Sequence, residues 1–122
     1  MNYLNKFYII ILFFTGTFLI CNLAHSQSFL NNEISVVEFN TDWNKTNHFE
    51  GLDDLKNCKS FNISLCKNPN YMNDFEIKQP TIVIYNNGNE LKRYKSNIMF
   101  TFDVKIKDIQ KEIDKLLFNK FN

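Results

Sequence analysis

Few residues of this chain have the type and spacing needed for chemistry. Beyond the N-terminal segment only two cysteines, Cys58 and Cys66, and one histidine, His48, are present. They form no zinc-ligand spacing, and no Ser/His/Asp order or glycine-rich phosphate loop accompanies them. The sequence therefore predicts no metal and no cofactor.

The two cysteines are separated by a segment that reads as a strand. Phe61, Ile63 and Leu65 alternate with polar residues between them, which is typical of a β-strand. Eight residues of strand span about 26 Å, whereas a disulfide needs Cα atoms closer than about 7 Å. We expect no bond between Cys58 and Cys66. A lone Cys66 thiol can form mixed disulfides, and an idle or buried cysteine is the simpler alternative.

The N-terminal segment differs from the rest of the chain. Residues 1–26 carry one lysine and no acid, then a long apolar run that ends in the small residues of Ala24-His25-Ser26. This pattern predicts a secretory signal peptide cleaved before Gln27, and hence a periplasmic or extracellular protein. The alternatives are an uncleaved membrane anchor, or a lipoprotein site at Cys21, which the large Ile20 before it disfavours.

The remainder is short and formally neutral. The full chain has 122 residues and a net charge of +1, and loss of Lys6 with the signal peptide removes that charge. No basic patch indicates nucleic-acid binding, and no further membrane insertion is expected. We predict a flexible leader over residues 27–33 and one domain over residues 34–122, large enough for a single core.

The hydrophobic pattern alternates between strand and helix. It predicts an α/β fold with a four-stranded mixed sheet and helices on both faces. A helix should follow Asp42 with Trp43, Phe49, Leu52 and Leu55 on one side, and a second should begin near Asn68-Pro69. Residues 97–104 fit either a strand or a loop. The remaining predicted elements are strands over 34–41, 59–65, 81–85 and 90–95, and a helix over 106–117.

This order of elements, and several short motifs within it, resemble thioredoxin. The matching residues are the strand ending in Trp43, then Asn68-Pro69, Phe75-Glu76-Ile77, Pro80-Thr81, Asn87-Gly88 and the last helix. Together they cover residues 36–117. The short first helix and missing cysteines are similar to exported thioredoxin-like proteins of Bacteroidetes-type bacteria.

The resemblance implies a thioredoxin-like fold without thioredoxin chemistry. The Cys-x-x-Cys motif corresponds to Asn44 and Asn47, and asparagine is neither a nucleophile nor a reductant. Glu38 matches the buried carboxylate that thioredoxins place beneath their cysteines. Without those cysteines, we expect a glutamate that is merely hydrogen-bonded within the sheet.

The resemblance also implies a peptide-binding edge. Gln79, before Pro80, corresponds to the residue that offers its backbone to an extended peptide, with Trp43 as an apolar wall beside it, and the Gln79–Pro80 bond is expected to be cis. The sequence therefore favours an exported, non-catalytic module that binds a peptide or protein segment. The alternatives are a thiol-redox protein acting through Cys66 in redox homeostasis, and a purely structural relic.

Overall fold

The structure, a computed structural model, describes residues 28–121. Its centre is one mixed sheet with the strand order β2-β1-β3-β4. The first two strands are parallel, and both other neighbouring pairs are antiparallel. The strands are β1 (Ile34–Asn40), β2 (Lys59–Ser64), β3 (Thr81–Asn86) and β4 (Asn89–Lys95), and the α-helices are α1 (Tyr71–Asp74) and α2 (Ile106–Phe121).

The predicted four-stranded mixed sheet with helices on both faces is confirmed. On one face Val37 and Phe39 of β1 pack with Ile77 and the partly buried Phe75 near α1. On the other face Val36 of β1 packs against Ile109 and Ile113 of α2, both fully buried. Because β1 lies between β2 and β3, its alternate side chains enter both cores, which explains why it is apolar on both sides.

The predicted flexible leader is wrong. Ser28–Asn31 forms a 3-10 helix, and Phe29 is only 3% exposed. The Ser35 hydroxyl donates a 2.6 Å hydrogen bond to the Phe29 carbonyl and holds the segment against β1. A single aromatic residue in a polar stretch has no periodicity, so its burial was not visible in the sequence. The proposed signal peptide, residues 1–26, and Gln27 lie outside the described residues.

The predicted helix after β1 is also largely wrong. Two short 3-10 segments, Asp42–Asn47 and Leu52–Asp54, replace it, with Gly51 between them at a φ of +93°. The Phe49 amide donates to the Glu38 carboxylate at 2.8 Å, so the chain turns down to the sheet instead of continuing a helix. Of the side chains expected on one helical face, Leu52 is buried whereas Trp43 is exposed.

The predicted cis bond at Gln79–Pro80 is wrong, since no peptide bond among residues 28–121 is cis. The Pro80 carbonyl accepts a 2.9 Å hydrogen bond from the Ser96 amide, and the Gln79 carbonyl accepts a 2.7 Å bond from the Thr81 hydroxyl. The trans backbone thus extends the β3–β4 ladder by one pair.

The hairpin turn between β3 and β4 agrees with expectation. Asn87 and Gly88 adopt positive φ values of 51° and 83°, as a tight hairpin turn requires. Within residues 28–121, no helix is long and apolar enough to cross a membrane.

Candidate functional site

A buried asparagine lies where β1 ends. Asn44 is 1% exposed, and its amide donates to the Asn40 side-chain oxygen at 3.1 Å and to the Phe100 carbonyl at 3.0 Å. The Asn47 side-chain amide in turn donates to the Asn44 side-chain oxygen at 2.9 Å. Asn44 therefore joins the end of β1, the first 3-10 segment and the loop after β4 in one polar network.

This network occupies the positions that the resemblance assigns to the two thioredoxin cysteines. Their side chains lie on one side of the 3-10 segment, joined by the 2.9 Å hydrogen bond. Neither amide can supply a thiolate. The side chain at the first of these positions, Asn44, instead holds the loop after β4 through its hydrogen bond to the Phe100 carbonyl.

The loop after β4 is organised by Asn97. The Asn97 side-chain oxygen accepts hydrogen bonds from the Met99 and Thr101 amides at 2.9 and 3.2 Å. Its amide group donates to the Thr101 hydroxyl at 2.8 Å and to an Asp103 carboxylate oxygen at 3.0 Å. Phe100, at the tip of the loop, has a φ of +60°, and its carbonyl accepts the hydrogen bond from the Asn44 side-chain amide. Residues 97–101 are thus held in one defined conformation.

This loop and the neighbouring 3-10 segment present apolar side chains to solvent. The exposed fractions are 64% for Trp43, 92% for Ile98, 71% for Met99 and 40% for Phe100. The rings of Trp43 and Phe100 meet edge to face with centroids 4.9 Å apart. We call these four residues the Trp43–Phe100 surface. Sequence reasoning found Trp43 and missed the other three; the only available signal was an unassigned apolar run after Asn97.

Gln79 and Pro80, predicted as binding residues with Trp43, are engaged elsewhere. Pro80 is buried, and the Gln79 side-chain amide donates to the Ser96 carbonyl. Their two backbone carbonyls are occupied by Thr81 and Ser96. Each of these carbonyls therefore already accepts one hydrogen bond within the fold.

Glu38 lies at the bottom of a hollow beside this site. Its side chain is 1% exposed, and the surrounding walls enclose about 320 Å³. Desolvation raises the pKa of the Glu38 carboxyl, while the Phe49 amide and nearby His48 partly oppose that rise. The hollow lies between the first 3-10 segment and β2, whose Asn62 stays exposed. It is lined by Glu38, Asn40, Thr41, Asp42, Lys45, His48, Asn62, Ile63 and Ser64.

The raised pKa of Glu38 predicts a pH-dependent stability. Above pH 4.5, the ordinary pKa of a glutamate, Glu38 ionises in the unfolded chain but keeps its proton in the native state. The free energy of unfolding therefore falls as the pH rises from 4.5 to the native pKa. Glu38→Gln keeps an acceptor for Phe49 and lacks the ionisation. Urea unfolding between about pH 4 and 8 should show wild type losing stability relative to this variant. Exposed Glu50→Gln is the control, and parallel curves for wild type and Glu38→Gln would contradict the assignment.

Both cysteines are free thiols at opposite ends of β2. Cys58 is half-buried, and desolvation raises the pKa of its thiol. Cys66 is exposed, just beyond the β2 end that pairs with Asn40. Among the described residues no group of three His, Cys, Asp or Glu side chains is placed to hold a metal ion.

The fold is that of thioredoxin. No protein-family model and no curated protein matches the sequence. Among solved structures, thioredoxin-2 of a malaria parasite is 24% identical over 69% of this chain and 84% of its own, with a TM-score of 0.52. The reduced thioredoxin pre-protein of Schistosoma mansoni is 19% identical, covering 76% and 88%, with a TM-score of 0.53. A mutant thioredoxin of Entamoeba histolytica is 13% identical, covering 76% and 92%, with a TM-score of 0.53.

Proposed function

We propose that this chain is an exported, non-catalytic module of the thioredoxin fold that binds an apolar, extended segment of another protein. The observation that carries the proposal is the Trp43–Phe100 surface: Ile98, Met99 and Phe100 are exposed on a loop held by hydrogen bonds, and Trp43 on the neighbouring 3-10 segment packs against Phe100. Export rests on the signal-peptide pattern of residues 1–26.

The composition of the surface suits protein binding. Contiguous exposed apolar side chains usually mark an interaction site, and tryptophan is enriched among the residues that dominate binding energy. The hydrogen bonds of Asn97 and Asn44 order the loop before any partner arrives. Binding then costs less conformational entropy than closure of a loose loop would.

The binding site proposed here differs from the edge that the resemblance implies. The Gln79 and Pro80 carbonyls already accept hydrogen bonds within the fold, so we assign the affinity mainly to apolar contacts with Trp43 and the loop. An extended segment with bulky side chains on one face fits this requirement, since alternate residues of a strand point the same way.

The fluorescence of Trp43, the sole tryptophan, reports directly on occupancy of this surface. The probe is a peptide of alternating leucine and threonine residues, and a serine-threonine peptide of equal length is its control. We expect a saturable blue shift with the leucine peptide only. The double variant Ile98→Ser with Met99→Ser should weaken binding about tenfold or more, since burying each side chain contributes roughly 1.5–3 kcal/mol.

Leu91→Ser provides the matched control, because Leu91 is 45% exposed but lies on β4, away from the surface. It should bind the leucine peptide as wild type does. An unshifted spectrum with the leucine peptide, or equal weakening by Leu91→Ser, would refute the proposal.

The second candidate function is thiol exchange through Cys66, which its exposure favours. Its thiolate would attack a partner's disulfide, forming a mixed disulfide and releasing the partner's other sulfur as a thiolate. Reaction of the folded protein with a model disulfide such as oxidised glutathione tests this. Adduct formation at Cys66 much faster than on a free cysteine peptide would favour the redox role, and an equal rate would exclude it.

A further inference from the structure

We propose that the hollow above Glu38 binds a small molecule carrying a protonated amine, whose ammonium group pairs with the Glu38 carboxylate. This site is separate from the Trp43–Phe100 surface, since none of the four residues of that surface lines the hollow. The proposal does not depend on the binding of a protein segment.

The hollow is a consequence of the irregular segment after β1. Asn62 of β2 lies directly opposite Glu38 in the sheet register, and Ser64 lies opposite Asn40. On this face of β2 the Ser60 and Ser64 hydroxyls donate to Asp53 and Asp42 of the two 3-10 segments at 3.0 and 3.1 Å, whereas Asn62 between them stays exposed. Phe61 and Ile63 lie on the opposite face, which packs into the core. Asn62 and Ser64 therefore line the hollow.

The size of the hollow suits a small ligand. Its volume of about 320 Å³ lies at the lower end of the range of roughly 300–1,000 Å³ found for small-molecule sites. Most of the surface that the hollow exposes is apolar, although most of its lining residues carry polar groups. A short aliphatic amine matches this combination.

The polar groups of the hollow need a hydrogen-bond donor. Glu38 is almost fully buried, yet among the described residues its carboxylate accepts one hydrogen bond, from the Phe49 amide. The Thr41 hydroxyl is buried and has no hydrogen-bond partner within residues 28–121. A carboxylate has capacity for several donors, and burying it without them is costly. An ammonium group supplies three donors and the compensating charge.

The charge of the lining favours a cation. Glu38 and Asp42 contribute two carboxylates and Lys45 contributes one ammonium, and His48 adds an imidazole that interacts electrostatically with Glu38. The residual charge is negative when Glu38 is ionised and His48 is neutral. Lys45 and Asp42 are both exposed, so water screens their charges more than that of the buried Glu38.

The test is an NMR titration of the ¹⁵N-labelled protein with three probes of similar shape: n-butylammonium, neutral n-butanol and butyrate. We expect n-butylammonium alone to shift the Phe49 amide and the amides of residues 40–42 and 62–64 in a saturable way. A dissociation constant of about 1–10 mM is expected for so small a probe. The absence of saturable shifts, or stronger binding of butyrate or butanol, would overturn the proposal.

Two variants test the Glu38 carboxylate and the open volume of the hollow independently. Glu38→Gln retains an acceptor for Phe49 and should weaken n-butylammonium binding about tenfold or more, because a charge-assisted hydrogen bond is lost. Asn62→Phe fills the hollow from its exposed rim, leaves Glu38 in place and should also abolish binding. Glu50→Gln removes an exposed carboxylate outside the hollow and should bind as wild type. Wild-type affinity in both Glu38→Gln and Asn62→Phe would overturn the proposal.

Discussion

Phe29→Ala is expected to lower the free energy of unfolding by about 3–5 kcal/mol. Phe29 is 3% exposed, and its ring contacts aromatic side chains of β1, β2, β3 and the α1 region at centroid distances of 5.5–6.2 Å. The rings it meets belong to Phe39, Phe61, Tyr71, Phe75 and Tyr85. Its removal leaves a cavity that a sheet on one side and fixed rings on the other cannot close.

Urea unfolding followed by circular dichroism measures this loss. Phe121→Ala is the matched control, because Phe121 is 80% exposed near the end of α2 and its removal should change stability by less than about 0.5 kcal/mol. Similar stabilities for the two variants would mean that the segment before β1 is not part of the domain.

Replacing Asn44 and Asn47 together by cysteine is expected to create a reducible disulfide in a protein whose Cys58 and Cys66 are both free thiols. The side chains of the two asparagines already meet at 2.9 Å, and a disulfide needs side chains that point at each other across a short distance. The double variant loses the amide that holds the Phe100 carbonyl. Some loss of stability is therefore expected, because a buried acceptor without its donor costs about 1–3 kcal/mol.

Mass spectrometry after alkylation and proteolysis identifies the pairing. The control is Lys45→Cys with Asn47→Cys, since residues two apart in a helical turn do not face each other. In an insulin reduction assay the wild-type protein should show no turnover, and the Asn44→Cys, Asn47→Cys variant should show some. Free thiols after oxidation, or a bond from either introduced thiol to Cys66, would mean that this segment does not hold the thioredoxin-type geometry.

The regular elements were predictable because each has a strong local pattern. β1 is apolar on both faces, α2 has one apolar stripe, and Asn87-Gly88 provides the positive φ values of a hairpin turn. Their order restricts the sheet to few topologies, since a βαβ-type crossover and a hairpin follow fixed rules.

The tertiary structure alone decided the features that depend on distant partners. Phe29 is buried because a ring-lined space exists over β1, and the chain around His48 and Phe49 bends because Glu38 accepts the Phe49 amide. The trans bond before Pro80 lies in a backbone paired with Ser96. The loop carrying Ile98, Met99 and Phe100 is held by Asn97 and by Asn44, which is 56 residues away from Phe100 in sequence. Such contacts leave no periodic trace in the chain, so the apolar surface and the hollow above Glu38 became visible only once the sheet had brought these residues together.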